Sequence, residues 1–487
     1  MKKNSKIILQ TIITGVLAAF CCIGLLLVSS LIPQDKILKH AEESALYFES
    51  KELFEYMVPK QDAVKRDNYA DCITFDIAYH LGNTKQIEGT DRSNAFVRIL
   101  EARYTRDEDE NVDDGFKRAV TEGAVGNQTY SRYWHGGAAV VRLLLSFFDV
   151  SRMRVLFFVT GILLNLAWVV YLVIRKDFLL AISFLCGITA GKILFGYTCF
   201  EYAFVCLFVT VFSFLVYFAM QGEKGPEIVS NEAKRKGILP VEALFLSAGI
   251  LTCFFDFLTA ETAVLTIPAF VAVYCLENRK KSPFTVKYSS AKDEKKESPW
   301  IFLLRIALCW FVGYALMFGL KWGLSALVLG PEEAASAFTS VAERTVGDVH
   351  ETLNLASPTV GFAKRVEMIF LRNFSCLYSI PNDTKTSVST IIILGIPMIL
   401  YIIWFFFRDK ENIHEKKGKK DFSFLPLYLV IALIPVLRFL VLSNHAYLHY
   451  FFTYRALMAD AMIFTYIFLQ TTILSNLLQL RPSQESH

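Results

Sequence analysis

The chain is 487 residues long, 54% hydrophobic and 14% aromatic, with 20% charged residues and a mean hydropathy of +0.40. Soluble domains run near 45–50% apolar and about 25% charged, and few soluble cores could bury 42 Phe rings. The composition excludes a disordered chain, a collagen-like repeat and a small disulfide scaffold, and a net charge of +4 is too small to argue for nucleic acid.

What remains is an all-α integral membrane protein. A helix crosses a ~30 Å hydrocarbon core with about 17–25 apolar residues. About ten such runs (8–12, allowing for interrupted ones) occur, at 7–32, 153–174, 178–198, 200–219, 239–255, 261–276, 300–328, 388–407, 423–442 and 457–478. The first follows MKKNSK, is long for a signal-peptide core and has no small-residue cleavage site, so 1–32 reads as a retained signal-anchor. The rest divides into an extracytoplasmic loop 33–152, spans two to seven over 153–328, a second extracytoplasmic loop 329–387, spans eight to ten over 388–478 and a tail 479–487.

Lys and Arg set the orientation through the positive-inside rule. Lys2, Lys3 and Lys6 lie on the same side as Arg175-Lys176, Lys234-Arg235-Lys236, the seven basic residues of 277–299 and the six of 408–420. Segment 33–130 carries 20 acidic and 13 basic residues and belongs outside. The expectation is a multi-pass cell-membrane protein with both termini cytoplasmic.

In the first outer loop, DKILKHAEESALYFESKELFEYM has a helical period, with Leu38, Ala41, Ala45, Phe48 and Leu53 on one side. Segment 67–81 also reads as helical, and RDEDENVDDG as an exposed, mobile loop. From Tyr130, YSRYWHGGAAVVRLLLSFFDVSRMRVL suggests a tight turn and then an amphipathic helix along the bilayer surface. The second loop has helical stretches near 331–356 and 358–373, then a Pro/Asn/Asp loop at 381–384. Most of the ten cysteines lie in or beside spans; Cys72 and Cys376 fall in outer loops, where pairing is open. The sequons at Asn127, Asn373 and Asn382 also face outward.

Ionisable residues near membrane depth are expensive and so are functional candidates. Here they gather at the outer ends of the spans. Asp71 and Asp76 lie in the first outer loop, and Arg132, Tyr133, Trp134 and His135 in YSRYWHG. Lys192 falls in the outer third of span three, Glu201 at the start of span four, and Asp256 and Glu261 in the turn FFDFLTAET. His445, His449 and Arg455 belong to LSNHAYLHYFFTYR. Any one of these charges could simply snorkel or cap a helix. His445 and His449 share a helical face, a spacing that suits a metal, but no Glu accompanies them as in HExxH, and no metal site is assigned. Asp71 and Asp76 diverge by about 140° on a helix and do not form a carboxylate pair. The convergence on one side is what points to chemistry.

This arrangement resembles the glycosyltransferase C superfamily, integral-membrane enzymes that use polyprenyl-phosphate-linked sugars. Residues 1–175 follow its plan of a first span, a large outer loop with an acidic residue (Asp71 or Asp76 here) and surface helices before span two. FDFLTAET and NHAYLHYFFTYR are similar to segments of uncharacterised bacterial multispan proteins of this kind. The acidic residue lies further from span one than in that family, and no adjacent Asp-Glu or Asp-Asp pair follows the span. The resemblance implies an inverting transferase moving a sugar from a polyprenyl-phosphate-sugar donor to a glycan or other cell-surface acceptor, among membrane lipids. Arg455, Arg132 or Lys192 would hold the phosphate and Asp71 would act on the acceptor hydroxyl. His135 and His449 would bond sugar hydroxyls, with Trp134, Tyr133 and Tyr450 stacking on the sugar. No cofactor is required; a divalent metal is compatible with this chemistry and not demanded by it. Competing readings are a transporter or flippase of lipid-linked saccharides, which would want broken helices or paired halves, a polysaccharide polymerase or ligase, and a structural or receptor role.

Overall fold

The computed structural model describes residues 2–85, 91–221, 239–281, 298–333, 335, 361–381 and 423–471. The described chain is mostly helical, with few strands. Among the described residues, five helical segments are long and apolar enough to cross a membrane: Ser5–Ser30, Val150–Ile174, Ala203–Gln221, Pro299–Val328 and Tyr450–Gln470. Four shorter apolar helices accompany them, at Gly136–Leu145, Phe178–Ala190, Val241–Phe255 and Leu425–Val441. The expected span 388–407 and much of the second outer loop lie outside the described residues.

In chain order the helices are α1 (Lys2–Ser30), α2 (Gln34–Glu49), α3 (Asn68–His80), α4 (Ala95–Glu101), α5 (Val112–Thr121), α6 (Gly136–Leu145), α7 (Val150–Ile174), α8 (Phe178–Ala190), α9 (Ile193–Gly196) and α10 (Ala203–Gln221). They continue as α11 (Val241–Phe255), α12 (Glu261–Lys281), α13 (Pro299–Val328), α14 (Phe362–Leu377), α15 (Leu425–Val441), α16 (Ser443–Leu448), α17 (Tyr450–Thr453) and α18 (Met458–Thr471). Two small antiparallel hairpins join them. One pairs β1 (Phe54–Tyr56) with β2 (Lys65–Asp67), Phe54 opposite Asp67; the other pairs β3 (Arg103–Tyr104) with β4 (Gln128–Thr129).

Helices α2–α6 form a cap whose core includes Phe48, Phe75, Phe116 and Trp134 and continues into the ends of α1, α11 and α13 through Leu26, Phe254 and Met317. One cation fastens it. The fully buried Arg142 of α6 donates to Ser29 O (2.9 Å) and Ile32 O (2.6 Å) at the end of α1, and to Ala78 O and Tyr79 O (both 2.8 Å) on α3. A guanidinium at these last-turn carbonyls answers both their unmet acceptors and the negative ends of two helices.

The cap differs from its sequence expectation in two places. The period that ran on to Leu53 stops at Glu49, because Phe54–Tyr56 pairs with Lys65–Asp67 instead of extending the helix. The charge-dense RDEDENVDDG is exposed at 107–109, as expected, but α5 already begins at Val112, and Arg118 pairs with Asp107 and Glu110, each at 2.7 Å.

In the bundle, α11 crosses α13 backbone to backbone. A Cβ on Gly249 would stand 2.0 Å from Trp310 O, and one on Gly313 would stand 2.3 Å from Leu246 O. Small residues at such a crossing are the usual device of helix pairs in lipid. Gly313→Val should therefore lower the unfolding temperature of the detergent-purified protein, overpacking costing about 1–3 kcal/mol. Gly319→Val, on the same helix with nothing within 4 Å of its Cβ, is the control expected to leave it unchanged.

Candidate functional site

The site lies where the β1–β2 hairpin meets the start of the last apolar segment. Between the strands, the turn Asp62–Val64 is buried against α14 and α16–α18. Asp62 accepts from Tyr56 OH and Tyr450 OH, each at 2.8 Å, and Ala63 O accepts from Tyr454 OH at 2.8 Å. Beneath this strap is Arg455, 1% exposed. Its Nη2 reaches Ala63 O at 3.4 Å and its Nη1 Phe451 O at 3.3 Å, and its guanidinium lies 4.5 Å from the Tyr202 ring centre and 4.9 Å from that of Tyr454. It has no carboxylate partner among the described residues, and its Nε has no hydrogen bond there. A buried guanidinium left without a counter-ion is costly unless an anion joins it.

Other cations gather round. Lys192 occupies the break between α8 and α9 with φ 47°. Its Nζ donates to Cys376 O and Leu377 O, both at 2.6 Å, in the last turn of α14, where the helix dipole favours a cation. Arg372 lies over the rings of Tyr447 (4.7 Å) and Tyr450 (5.0 Å), and Lys65 over those of Phe451 (4.7 Å) and Phe54 (4.9 Å). Two residues beyond Lys65, Asp67 is 4% exposed, and its Oδ1 caps α3 by accepting from Ala70 N at 2.9 Å. Burial pushes its carboxyl up to about 7, against the pull of the Ala70 amide and Lys65.

The two aspartates taken from the sequence are occupied elsewhere. Asp71 is fully buried; its Oδ2 accepts from Arg154 Nη2 (2.7 Å) and its Oδ1 from the amides of Phe200 (2.7 Å) and Glu201 (3.3 Å). Arg154 also donates to Asn68 Oδ1 (2.7 Å) and Tyr47 OH (3.1 Å). Burial raises the Asp71 carboxyl, and Arg154 opposes the rise. Asp76 turns a different way, as the spacing required, accepting from Thr105 N at 2.7 Å and meeting His80 Nε2 at 3.1 Å.

The remaining candidates form a band continuous with this cluster. Trp134 is wholly buried with its indole N–H donating to Met317 O (2.8 Å), so it packs the cap onto α13 and has no face left for a sugar. Tyr133 is 3% exposed and packs edge-on against Phe257 at 5.3 Å, and Arg132 lies 4.4 Å over the Tyr130 ring. His135 begins α6 with φ 55°, its Nε2 2.6 Å from Tyr130 O. Burial pushes the imidazole down to about 3, so it is neutral, with the Nε2 proton on that carbonyl. Asp256 accepts from Thr259 N at 3.1 Å and from the Thr259 hydroxyl; burial, then the Glu261 charge, push its carboxyl up to about 7. Glu261 pairs with Arg438 at 2.8 Å. Leu258 O accepts from Arg438 and lies 2.9 Å from His445 Nε2, and the His445 and His449 rings stand 4.7 Å apart. Phe452 joins His445 (5.9 Å) to Tyr202 (5.9 Å), and so to Arg455.

Lys192, Glu201, Asp256, Glu261, His445, His449 and Arg455 thus meet at the cap end of the bundle, from the ends of α8, α10, α11, α12, α15 and α18. Among the described residues no group of three or more His, Cys, Asp or Glu is placed to hold a metal. Cys72 and Cys376 are free thiols, Cys72 donating to Val112 O and Cys376 packed with Ile369 and Tyr454. Sequence reasoning missed Lys65, Asp67, Arg154 and Arg372. Only Arg154 carried a signal, a guanidinium at the start of an apolar run. Comparison with protein-family models, curated proteins and solved structures gives no match.

Proposed function

We propose that the protein is a glycosyltransferase with a plan similar to the glycosyltransferase C superfamily, crossing the cell membrane ten times with both termini in the cytoplasm. It transfers a sugar from a polyprenyl-phosphate-linked donor to a cell-surface acceptor on the outer face. The observation that carries this reading is Arg455, a buried guanidinium with no carboxylate partner among the described residues, lying against Ala63 of the hairpin that ends in the buried carboxyl of Asp67.

The acceptor hydroxyl oxygen attacks the anomeric carbon while the bond from that carbon to the phosphate oxygen breaks. The hydroxyl proton passes to Asp67, and the electron pair of the broken bond leaves with the lipid phosphate. Arg455 neutralises the leaving phosphate, which a guanidinium can hold through two parallel hydrogen bonds. Arg372 and Lys192 add positive charge near that point. A single displacement of this kind inverts the anomeric configuration. Asp71, held by Arg154, is a positioning residue in this scheme: it fixes the Phe200–Glu201 backbone that leads to Tyr202.

Arg455→Ala should lower transfer from a polyprenyl-phosphate sugar by about 10²–10³-fold, as loss of a preorganised donor does, with Arg455→Lys intermediate. The measurement is product formed by purified protein in lipid vesicles. The second reading, transport of a lipid-linked saccharide, would draw on the helix break between α8 and α9 at Lys192, which lies at the cap end and not at the middle of the bundle where a transporter breaks its helices. Wild type that moves such a lipid between leaflets without ever transferring its sugar would replace the first reading with the second.

A further inference from the structure

Arg455, on which the proposed transfer depends, is sealed in. Its Nη2 stands 3.4 Å from Ala63 O and its Nη1 3.3 Å from Phe451 O, separations that leave no room for a phosphate. On the side of α9 and α10, a Cβ on Gly196 would stand 3.5 Å from Arg455 Nε and 2.7 Å from Cys206 Sγ. An anion reaches the guanidinium only if one of these neighbours moves.

The neighbours are not equally free to do so. Tyr202, Cys206 and Phe451 belong to the close-packed apolar core of the bundle, where a displacement leaves a void. The strap Asp62–Val64 belongs instead to a hairpin with strands of three residues, whose tip from Tyr56 to Lys60 is exposed throughout. Lys60 in that tip holds φ 61°, a left-handed backbone that a side chain disfavours. Three phenols hold the strap down, Tyr56 and Tyr450 on Asp62 and Tyr454 on Ala63 O. One of them has a second acceptor ready. The Tyr454 hydroxyl also lies 3.2 Å from Gly191 O at the end of α8, so its single proton keeps a partner when Ala63 leaves.

We infer that the Asp62–Val64 strap is the gate of this site, lifting with its hairpin to admit an anion to Arg455. The inference rests on the reading of Arg455 as the partner of the donor phosphate, and it adds a coupling. Asp67 ends the second strand of the same hairpin, so the element that admits the donor also carries the carboxyl assigned as the base.

The test is modification of arginines by phenylglyoxal in the full-length protein in nanodiscs, read site by site by mass spectrometry. Arg142 is as buried as Arg455 and is held by carbonyls at the ends of α1 and α3, so it reports general opening of the cap. In wild type Arg455 should react at least about tenfold faster than Arg142, because a local opening costs less than loss of the cap. Tyr56→Phe with Tyr450→Phe removes both phenol bonds to Asp62 and should speed Arg455 by about another tenfold, with Arg142 unchanged. Association of farnesyl phosphate should quicken by the same factor, since the open fraction limits it. Equal rates at the two arginines in wild type would overturn the inference, and that comparison needs no substitution. So would a variant whose Arg455 reacts faster while farnesyl phosphate associates at the wild-type rate. If neither protein binds farnesyl phosphate but Arg455 reacts as expected, the transferase reading fails and the strap stands as the way in to Arg455.

Discussion

Asp67→Asn is expected to lower sugar transfer by about 10²–10⁴-fold, the range for a lost general base, with donor binding unchanged. The fold should survive, because Asn caps a helix about as well as Asp and can still accept from Ala70 N. The pH dependence makes the assignment specific. A base whose carboxyl titrates near 7 gives turnover that rises with pH toward neutrality and levels off above it; Asp67→Asn should lose that limb. Stability runs the other way. The carboxyl is raised above its ordinary value of 3.8, so the folded state binds more protons than the unfolded state between that value and about 7. Stability from this group is therefore greatest in acid and declines as pH rises through that window. Melting temperature against pH, in wild type and Asp67→Asn, checks the sign: the substitution should flatten the decline. An Asp67→Asn enzyme with wild-type turnover and an unaltered profile would remove Asp67 from the mechanism.

The second large effect is on folding rather than chemistry. Asp71→Ala leaves the Arg154 guanidinium buried without its carboxylate, which costs about 3–5 kcal/mol, a large share of a typical stability of about 5–15 kcal/mol. Arg154→Met should do as much, through the stranded carboxylate. Activity would fall in both, so activity alone would mislead. Thermal unfolding separates the explanations: Asp71→Ala should melt well below wild type, Asp67→Asn close to it. The double variant Asp71→Leu with Arg154→Met removes both charges and should recover much of the loss, buried pairs often being replaceable by apolar residues. If Asp71→Ala melts with wild type and is still inactive, Asp71 itself does the chemistry.

These two aspartates show where sequence reading worked and where it stopped. A charge at the end of an apolar run stands out against its surroundings, so Lys192, Asp256, Glu261, His445, His449 and Arg455 were legible, and the structure brings them to one end of the bundle. Asp71 and Asp76 were legible as residues of a helix, and α3 runs from Asn68 to His80 within the expected 67–81. Asp67 was not, because it is one carboxylate in a segment, 33–130, holding 20 acidic residues. What distinguishes it is its burial at the end of a hairpin strand. That hairpin has strands of three residues, FEY and KRD, too short to show alternation. The period ending at Leu53 ran past the true helix end for the same reason, since the pairing partner of Phe54 lies thirteen positions on, at Asp67. Trp134 read as a sugar-stacking ring because the sequence cannot show that Met317 waits to accept its N–H. The helix start at Val112, inside the charged run, was hidden because Arg118, which pairs with Asp107 and Glu110, lies beyond the run's end. In each case the deciding contact is tertiary.

The strap over Arg455 also has a consequence for how the chain is made. Ala63 O is bonded by Tyr454, 391 positions later, and by Arg455, 392 positions later. At a synthesis rate of about 5–20 residues per second, the hairpin emerges roughly 20–80 s before its partners exist. Until then Asp62 and Ala63 have no berth, and the apolar side chains of the turn are open to other contacts. The fold of the segment between α1 and α7 is thus completed by the apolar segment that begins at Tyr450. A chain truncated anywhere before Tyr450 would thus lack the very surface on which its earliest loop sets, and completion of the site would report that biogenesis has finished.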